Sequence, residues 1–536
     1  MKINKENSIR VYQSTLLWGV LFLFFFQLLT EFVEGIYLYG LLGTEIPPEI
    51  TLVVLFFTPF VLIFRRTNLS TQMLKVLASI GIIARCIEIV LPTRGRMIIS
   101  GIGLVGLLLF IPAVLALHRT KEEQGTFSRK VGIGLSTAVV AHVLFRALHS
   151  GSDLSAYGNY RIVTWGLAAA TVVILWFSWN GEGKSSQVGT HPNRLRVVVY
   201  SLGIFGVLVV LYFGIIAPNV IARWAGVSSI SVFVVLLVSW GVAGWWWLTQ
   251  KRVIKYYLVV LGMLLVTALV LAIVPHQVNF PQETGGGYPL SEPDISVFQR
   301  IPLYVMVALS PVLLLIFMHY LDGILAEQPR TSLLSFGFGL GSIFLLLMVL
   351  SQVFTTVYDY IPVVGPFFRD KYWLVFLVPG LVAVLPLLLA SKANEVESEV
   401  PSSVRRTWLL IIGAMAMITV IGLFVLTANP FPPVDEPATL QIFTYNIQQG
   451  YDDLGERNFD GQIALIQQTS PDIIGLQESD TARIAGGNAD VVAYCADRLD
   501  MYSYYGPSPI TGTFGIALLS KYPIEDPHTY FLYSEG

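Results

Sequence analysis

Leu16-Leu17-Trp18-Gly19-Val20-Leu21-Phe22-Leu23-Phe24-Phe25-Phe26-Gln27-Leu28-Leu29 decides how the rest of this chain is read. The run follows the basic start Met1-Lys2-Ile3-Asn4-Lys5, which gives it the flank of a secretory signal. Its apolar character continues past Glu31 and Glu34 to Tyr39 with no small-residue cleavage site, so it reads as an uncleaved first membrane span. Further apolar runs on the scale of a bilayer core lie at 50–64, 72–91, 97–117, 131–147, 162–179 and 197–217. The series continues at 229–248, 254–274, 301–321, 332–354, 373–390 and 408–427. Counting the first, about 13 spans result. They must be helices, because hydrocarbon offers a free backbone no hydrogen-bond partner and the runs lack the two-residue alternation of barrel strands. The fold expected for 1–428 is a polytopic α-helical membrane domain.

Composition excludes most other classes. With 54% hydrophobic and 13% charged residues, and a mean hydropathy of +0.67, the chain carries more apolar surface than a soluble core of this length can hide. A net charge of −2 supplies no basic field for nucleic acid. The two cysteines, Cys86 and Cys495, have neither metal-ligand spacing nor a pairing across bilayer depth.

Basic residues in the short loops set the orientation. Lys2, Lys5 and Arg10, then Arg65 and Arg66, then Arg119, Lys121, Arg129 and Lys130 fall on one side. Lys184, Arg194, Arg196, Lys251, Arg252, Lys255, Arg330, Lys392, Arg405 and Arg406 continue the pattern. That side holds roughly 20 basic residues against about 7 opposite, so the amino terminus is expected in the cytoplasm. An odd number of spans then places everything after Thr427 outside it. Trp245, Trp246 and Trp247 read as an interfacial belt at the cytoplasmic end of their helix.

Within the spans, Gly101, Gly103 and Gly106 have dinucleotide-fingerprint spacing but sit in an apolar run, where close helix packing explains them. Gly337 and Gly341 read the same way. Glu31, Glu34, Arg85, Glu88, His142 and Arg146 are costly against lipid and must face protein or water. Arg85 and Glu88, one turn apart, are expected to pair as an interhelical clamp, with a headgroup or ion site as the other reading. Of the loops on the non-cytoplasmic side, 277–300 reads as a Gly/Pro-rich connector and 357–372 as an aromatic, interfacial one.

Residues 429–438, with Pro430, Pro432, Pro433 and Pro437, form a linker. Beyond it, 439–536 reads as part of an α/β sandwich. Strands are expected at 440–445, 472–476 and 514–520, with helices at 459–468 and 490–499 and a Tyr/Gly/Pro turn region before the last strand.

These strands carry a resemblance. Phe443-Thr444-Tyr445-Asn446-Ile447, Asp472-Ile473-Ile474-Gly475-Leu476-Gln477-Glu478 and Gly515-Ile516-Ala517-Leu518-Leu519-Ser520-Lys521-Tyr522-Pro523-Ile524 resemble, in order, three signatures of the endonuclease/exonuclease/phosphatase superfamily. The resemblance implies that Glu478 holds a Mg2+ ion that polarises a phosphoryl oxygen, a hard-oxygen role suited to a carboxylate. It implies that Asn446, a neutral donor and acceptor, orients the phosphate or an active-site carboxylate without adding charge. Taken alone, Glu478 reads better as an exposed turn acid and Asn446 as a strand-ending cap; together, in the order of the motifs, the functional reading is favoured. The later Asp-x-Asn and Asp-His pairs of those enzymes have no counterpart before Gly536, and His528 falls in a turn ahead of where they would stand. The sequence is therefore expected to stop less than halfway through such a domain, and hydrolysis is expected of the longer protein rather than of this stretch.

A closer likeness lies in 444–451, 475–483, Asp490-Val491-Val492, 501–507 and 511–515. These resemble the C-terminal domain of membrane proteins that remodel the lipid of glycosylphosphatidylinositol (GPI) anchors to ceramide, known in fungi with an animal counterpart. The resemblance implies a metal-dependent phosphodiesterase-like protein, in the endoplasmic reticulum lumen or at the cell exterior, acting on inositol phospholipid or GPI headgroups. Membrane lipids and other membrane proteins are its expected partners. A non-catalytic headgroup-binding scaffold or transporter, and a membrane-tethered nuclease, are the alternatives; few basic residues (Arg457, Arg483, Arg498, Lys521) speak against the last.

Overall fold

The computed structural model describes residues 5–42, 48–65, 67–117, 121–179, 192–249, 255–274, 290–291, 297–355, 367–368, 371–389, 413, 417, 439–479, 483–505 and 515–530. Its first part is a helical bundle. The helices are α1 (Lys5–Leu42), α2 (Thr71–Glu88), α3 (Thr93–Leu115), α4 (Lys121–Ala147), α5 (Arg161–Val173), α6 (Arg194–Gly214) and α7 (Pro218–Trp224). They continue with α8 (Ser229–Thr249), α9 (Lys255–Ile273), α10 (Val297–Leu309), α11 (Val312–Ala326), α12 (Thr331–Thr355) and α13 (Leu374–Val384).

Among the described residues, eight helical stretches are long and apolar enough to cross a membrane, and Val53–Phe64, Ser229–Ala243 and Leu374–Leu387 are shorter apolar ones. The protein is thus a polytopic helical membrane protein. Helical structure stands at every expected run up to 373–390. The run at 408–427 and the linker at 429–438 lie outside the described residues, apart from 413 and 417.

The bundle is inside out only where a bilayer permits it. Val54, Val61, Ile83, Ile162, Val238 and Leu264 stand exposed on its flank, a surface that acyl chains rather than water suit. α1 runs through the middle, buried at nearly every position from Leu17 to Leu38. Glycines let the helices close in. A Cβ on Gly106 would stand 2.6 Å from the carbonyl of Leu77 in α2, and one on Gly337 2.7 Å from Ser201 Oγ in α6, so both read as packing positions.

One span departs from the α-helix expected. Pro48–Phe64 winds as a 3-10 helix, in which about 2.0 Å per residue carries its short apolar stretch further than an α-helix would. Pro59 has no amide to donate; Thr58 Oγ1 donates to the carbonyl of Leu55 (2.7 Å), and Ser335 Oγ of α12 donates to that of Pro59. Side chains thus meet backbone groups that lipid would leave bare.

The C-terminal unit is a four-stranded sheet in the order β2-β3-β5-β4, formed by Ile442–Asn446, Ile473–Gln477, Ala517–Ser520 and Tyr502–Tyr505. β2 and β3 are parallel and the other pairs antiparallel. α14 (Phe459–Thr469) and α15 (Val491–Leu499) cover one face, packing Ile463, Ile466, Val492 and Cys495 onto Ile474, Leu476 and Leu519. Capping fixes both helices: Asn458 Oδ1 accepts from Gly461 N (3.1 Å) and Asp490 Oδ1 from Ala493 N (2.9 Å). β4 corrects the expected turn region. Its half-buried Tyr502 and Tyr504 flank an exposed Ser503, and the segment pairs with β5 from Tyr502↔Ser520 to Tyr505↔Ala517.

A two-stranded ribbon joins the parts. β1 (Leu290–Ser291), from the connector between α9 and α10, pairs antiparallel with β6 (Thr529–Tyr530).

Candidate functional site

Asn446 ends β2 and Glu478 follows the last residue of β3. The parallel register sets Asn446 opposite Gln477, so Glu478 is the next residue along the neighbouring strand. Both stand at the carboxyl ends of parallel strands, the usual ligand edge of an α/β sheet. Asn446 is exposed and its Oδ1 accepts from Gln448 N (2.9 Å); Glu478 is half-buried, with φ +49°. A cavity of about 380 Å3 beside them is lined by Asn446, Tyr451, Asp452, Asp453, Asn458 and Gln462, but not by Glu478.

The strand ends offer one carboxylate and one neutral amide, and Asp452 and Asp453 add carboxylates in the cavity wall beside Asn446. That fits Mg2+, which keeps several waters and takes one or two carboxylates together with phosphate oxygens. Among the described residues no three His, Cys, Asp or Glu side chains gather as a ready-made cage.

One turn connects the two strand ends. Ile447 N donates to Gln477 O (3.1 Å) and Gln449 N to Glu478 O (2.9 Å). This turn rests on the membrane domain. Tyr451 Oη donates to Glu34 Oε1 (2.7 Å), Glu34 pairs with Arg457, and Tyr37 Oη donates to Gln449 Oε1 (3.2 Å) while accepting from Arg483 Nη1 (2.6 Å). Burial, with Glu34 beside it, pushes the Tyr451 hydroxyl well above its ordinary pKa. Burial opposes charge on the Arg457 guanidinium, but Glu34, Tyr451, Glu31 and Tyr157 together outweigh that cost and hold it even more firmly protonated than usual.

The costly intramembrane residues converge beneath this docking surface. Arg85 pairs with Glu88 and with Asp153 (2.6 Å), so the clamp exists and has a third member that the sequence reading did not include. Gln27 also donates to Asp153 (2.7 Å). Arg96 lies 3.3 Å from Glu31. Arg146 Nε donates to His142 Nε2 (2.8 Å) while its Nη1 donates to the carbonyls of Gly151 and Gly487 (both 2.7 Å). Thr93 Oγ1 and N both donate to Glu456, and Asn219 Nδ2 donates to Asn488 O (2.7 Å).

The soluble unit therefore sits on Thr93 at the start of α3, Ser150 just beyond α4, Asn219 in α7 and Leu290 between α9 and α10. Glu31, Glu34, His142 and Arg146 stand out in the sequence as ionisable residues within apolar runs, whereas Arg96, Tyr451 and Arg457 lie where nothing in the sequence marks them as partners. The turn signal Gly486-Gly487-Asn488 was the visible hint that the domain makes a close approach there.

Comparison with known proteins agrees with the strand signatures. Residues 437–535 match the family model of the PGAP2IP C-terminal nuclease-like domain. The nuclease-like segment so defined holds both Asn446 and Glu478. The chain is also 29% identical over 195 residues to Protein cwh43 of Schizosaccharomyces pombe, a match covering 33% of this chain and 20% of that protein. It thus spans about a fifth of that relative's length. A solved structure of a bacterial homolog to the human lysosomal transporter Spinster aligns over 79% of this chain and 97% of its own, at 14% identity and a TM-score of 0.35. That likeness is too slight to bear on function.

Proposed function

We propose that the protein is a membrane-anchored, non-cytoplasmic, Mg2+-dependent phosphodiesterase-like protein acting on lipid headgroups, with remodelling of GPI-anchor lipid as its setting. The observation that carries this is the seating of Asn446 and Glu478, at adjacent strand ends of a nuclease-like segment, directly upon a membrane bundle. A site docked there meets substrates anchored in the bilayer. Its contacts at Ser150, Asn219 and Leu290 fall between spans on the face that carries about 7 basic residues against roughly 20 on the other, which supports the non-cytoplasmic side. Glu478 would hold Mg2+, and bound Mg2+ would supply charge to polarise a phosphoryl oxygen. Asn446 would orient the phosphate without adding charge.

The tethered-nuclease reading is weaker, since the cations it needs are engaged. Arg457 pairs with Glu34, Arg483 donates to Tyr37, Lys521 lies 3.0 Å from Asp472, and Arg498 stacks over Tyr494. A headgroup-binding scaffold has one observation in its favour: the cavity is lined by Asn446 and not by Glu478.

The test is cleavage of inositol phospholipids by the purified full-length product, with and without Mg2+, in wild type and Glu478→Ala. Loss of at least about a hundredfold in the variant is expected of a residue that stabilises transition-state charge. Equal cleavage by both forms would remove Glu478 from the site, and absence of cleavage with headgroup binding retained would favour the scaffold.

A further inference from the structure

The turn between the two candidate residues has a backbone that its own sequence disfavours. Gln448 and Gln449 have φ of +45° and +59°, and Glu478, bonded to Gln449 through its carbonyl, has +49°. Non-glycine residues rarely adopt this left-handed region, and such conformations persist where the surroundings over-determine them. Beside the bonds it receives from Asn446, Gln477, Glu478 and Gln462, this turn is held by side chains of α1. Glu34 and Tyr37 lie one helical turn apart, both buried, and reach Tyr451 and Gln449 respectively. Arg457 and Arg483 brace the two α1 side chains from the soluble side.

We infer that Glu34 and Tyr37 are positioning residues for the site carried by Asn446 and Glu478, so that the membrane helix is a working part of that site. This rests on the reading of Asn446 and Glu478 given above. The bilayer domain then does more than anchor: the strand ends take their working geometry only while the domain is seated on α1. Neither α1 residue touches substrate; each acts through the turn.

Two full-length variants test this, Tyr37→Phe, which removes one hydroxyl, and Glu34→Gln, which keeps the shape and removes the charge. Each should lower kcat about tenfold, the scale of one lost hydrogen bond to a buried group, with KM for the lipid near wild type; the melting temperature should stay near wild type in Tyr37→Phe and fall in Glu34→Gln, which leaves the buried Arg457 without its carboxylate. Amide hydrogen exchange over 448–451 should quicken about tenfold in both, while that of β3 and β5 stays put. Wild-type exchange in both variants overturns the inference whether or not the protein cleaves anything. Wild-type kcat in both, with Glu478→Ala inactive, overturns it and leaves the phosphodiesterase reading standing. A fully active Glu478→Ala overturns that reading instead, and faster exchange would then leave Glu34 and Tyr37 as holders of the turn alone.

Discussion

Gly487 shows how little room the docking surface leaves. Its φ of +73° lies in the left-handed region, its carbonyl accepts from Arg146, and a Cβ there would run into Glu34 Oε2 and the Arg457 guanidinium. Gly151, with φ +80°, faces Asn219 and the carbonyl of Asn488 in the same fashion. Gly487→Ala is therefore expected to destabilise by more than the ~1 kcal/mol of the backbone term alone, since two charged groups must also move. Limited proteolysis of the detergent-solubilised protein should show cleavage in the soluble unit at lower protease concentration than in wild type. Unchanged proteolysis would mean that the interface yields more readily than its geometry implies.

Elements meet at His149, just beyond α4, whose ring packs on Tyr157 (4.5 Å between centroids) and on Tyr494 of α15 (5.4 Å). Burial, followed by Arg498 and Arg457, lowers its pKa from 6.5 to about 4. The unfolded chain binds this proton first as pH falls, so the contribution to stability is full above pH 6.5, declines between 6.5 and 4, and is level below. Melting temperature should follow that course, and His149→Phe, which keeps the stacking, should flatten it; an unaltered slope in the variant would assign the titration elsewhere. The elements themselves were unequally legible. Apolar runs such as Ile473–Leu476 announce themselves, because a strand covered on one face and paired on both sides needs them. Tyr502–Tyr505 did not, since its neighbours Gly506 and Pro507 speak of a turn and its partner β5 is set by tertiary pairing. Composition told that 50–64 is apolar and helical but not that it winds as a 3-10 helix. At the site, Asn446 and Glu478 could be read from strand ends, whereas Tyr37–Gln449 and Glu34–Arg457 join residues 412 and 423 positions apart and leave no periodic trace.

At the scale of the whole molecule, the arrangement predicts sidedness. Asp453 and Leu454 are exposed beside the cavity, and a cysteine at Leu454 should react with a membrane-impermeant thiol reagent from the non-cytoplasmic side of intact vesicles. A cysteine at Lys2 should react only after permeabilisation; the reverse pattern would invert the topology. The ribbon of Leu290–Ser291 with Thr529–Tyr530 carries a separate consequence, for the making of the protein. Its two strands leave the ribosome on the order of tens of seconds apart at ordinary rates of synthesis. The connector strand must wait, unpaired, while α10, α11, α12 and α13 follow it. At two residues it is too short to template a foreign chain in that interval, so its brevity guards nascent protein against mispairing until the partner arrives.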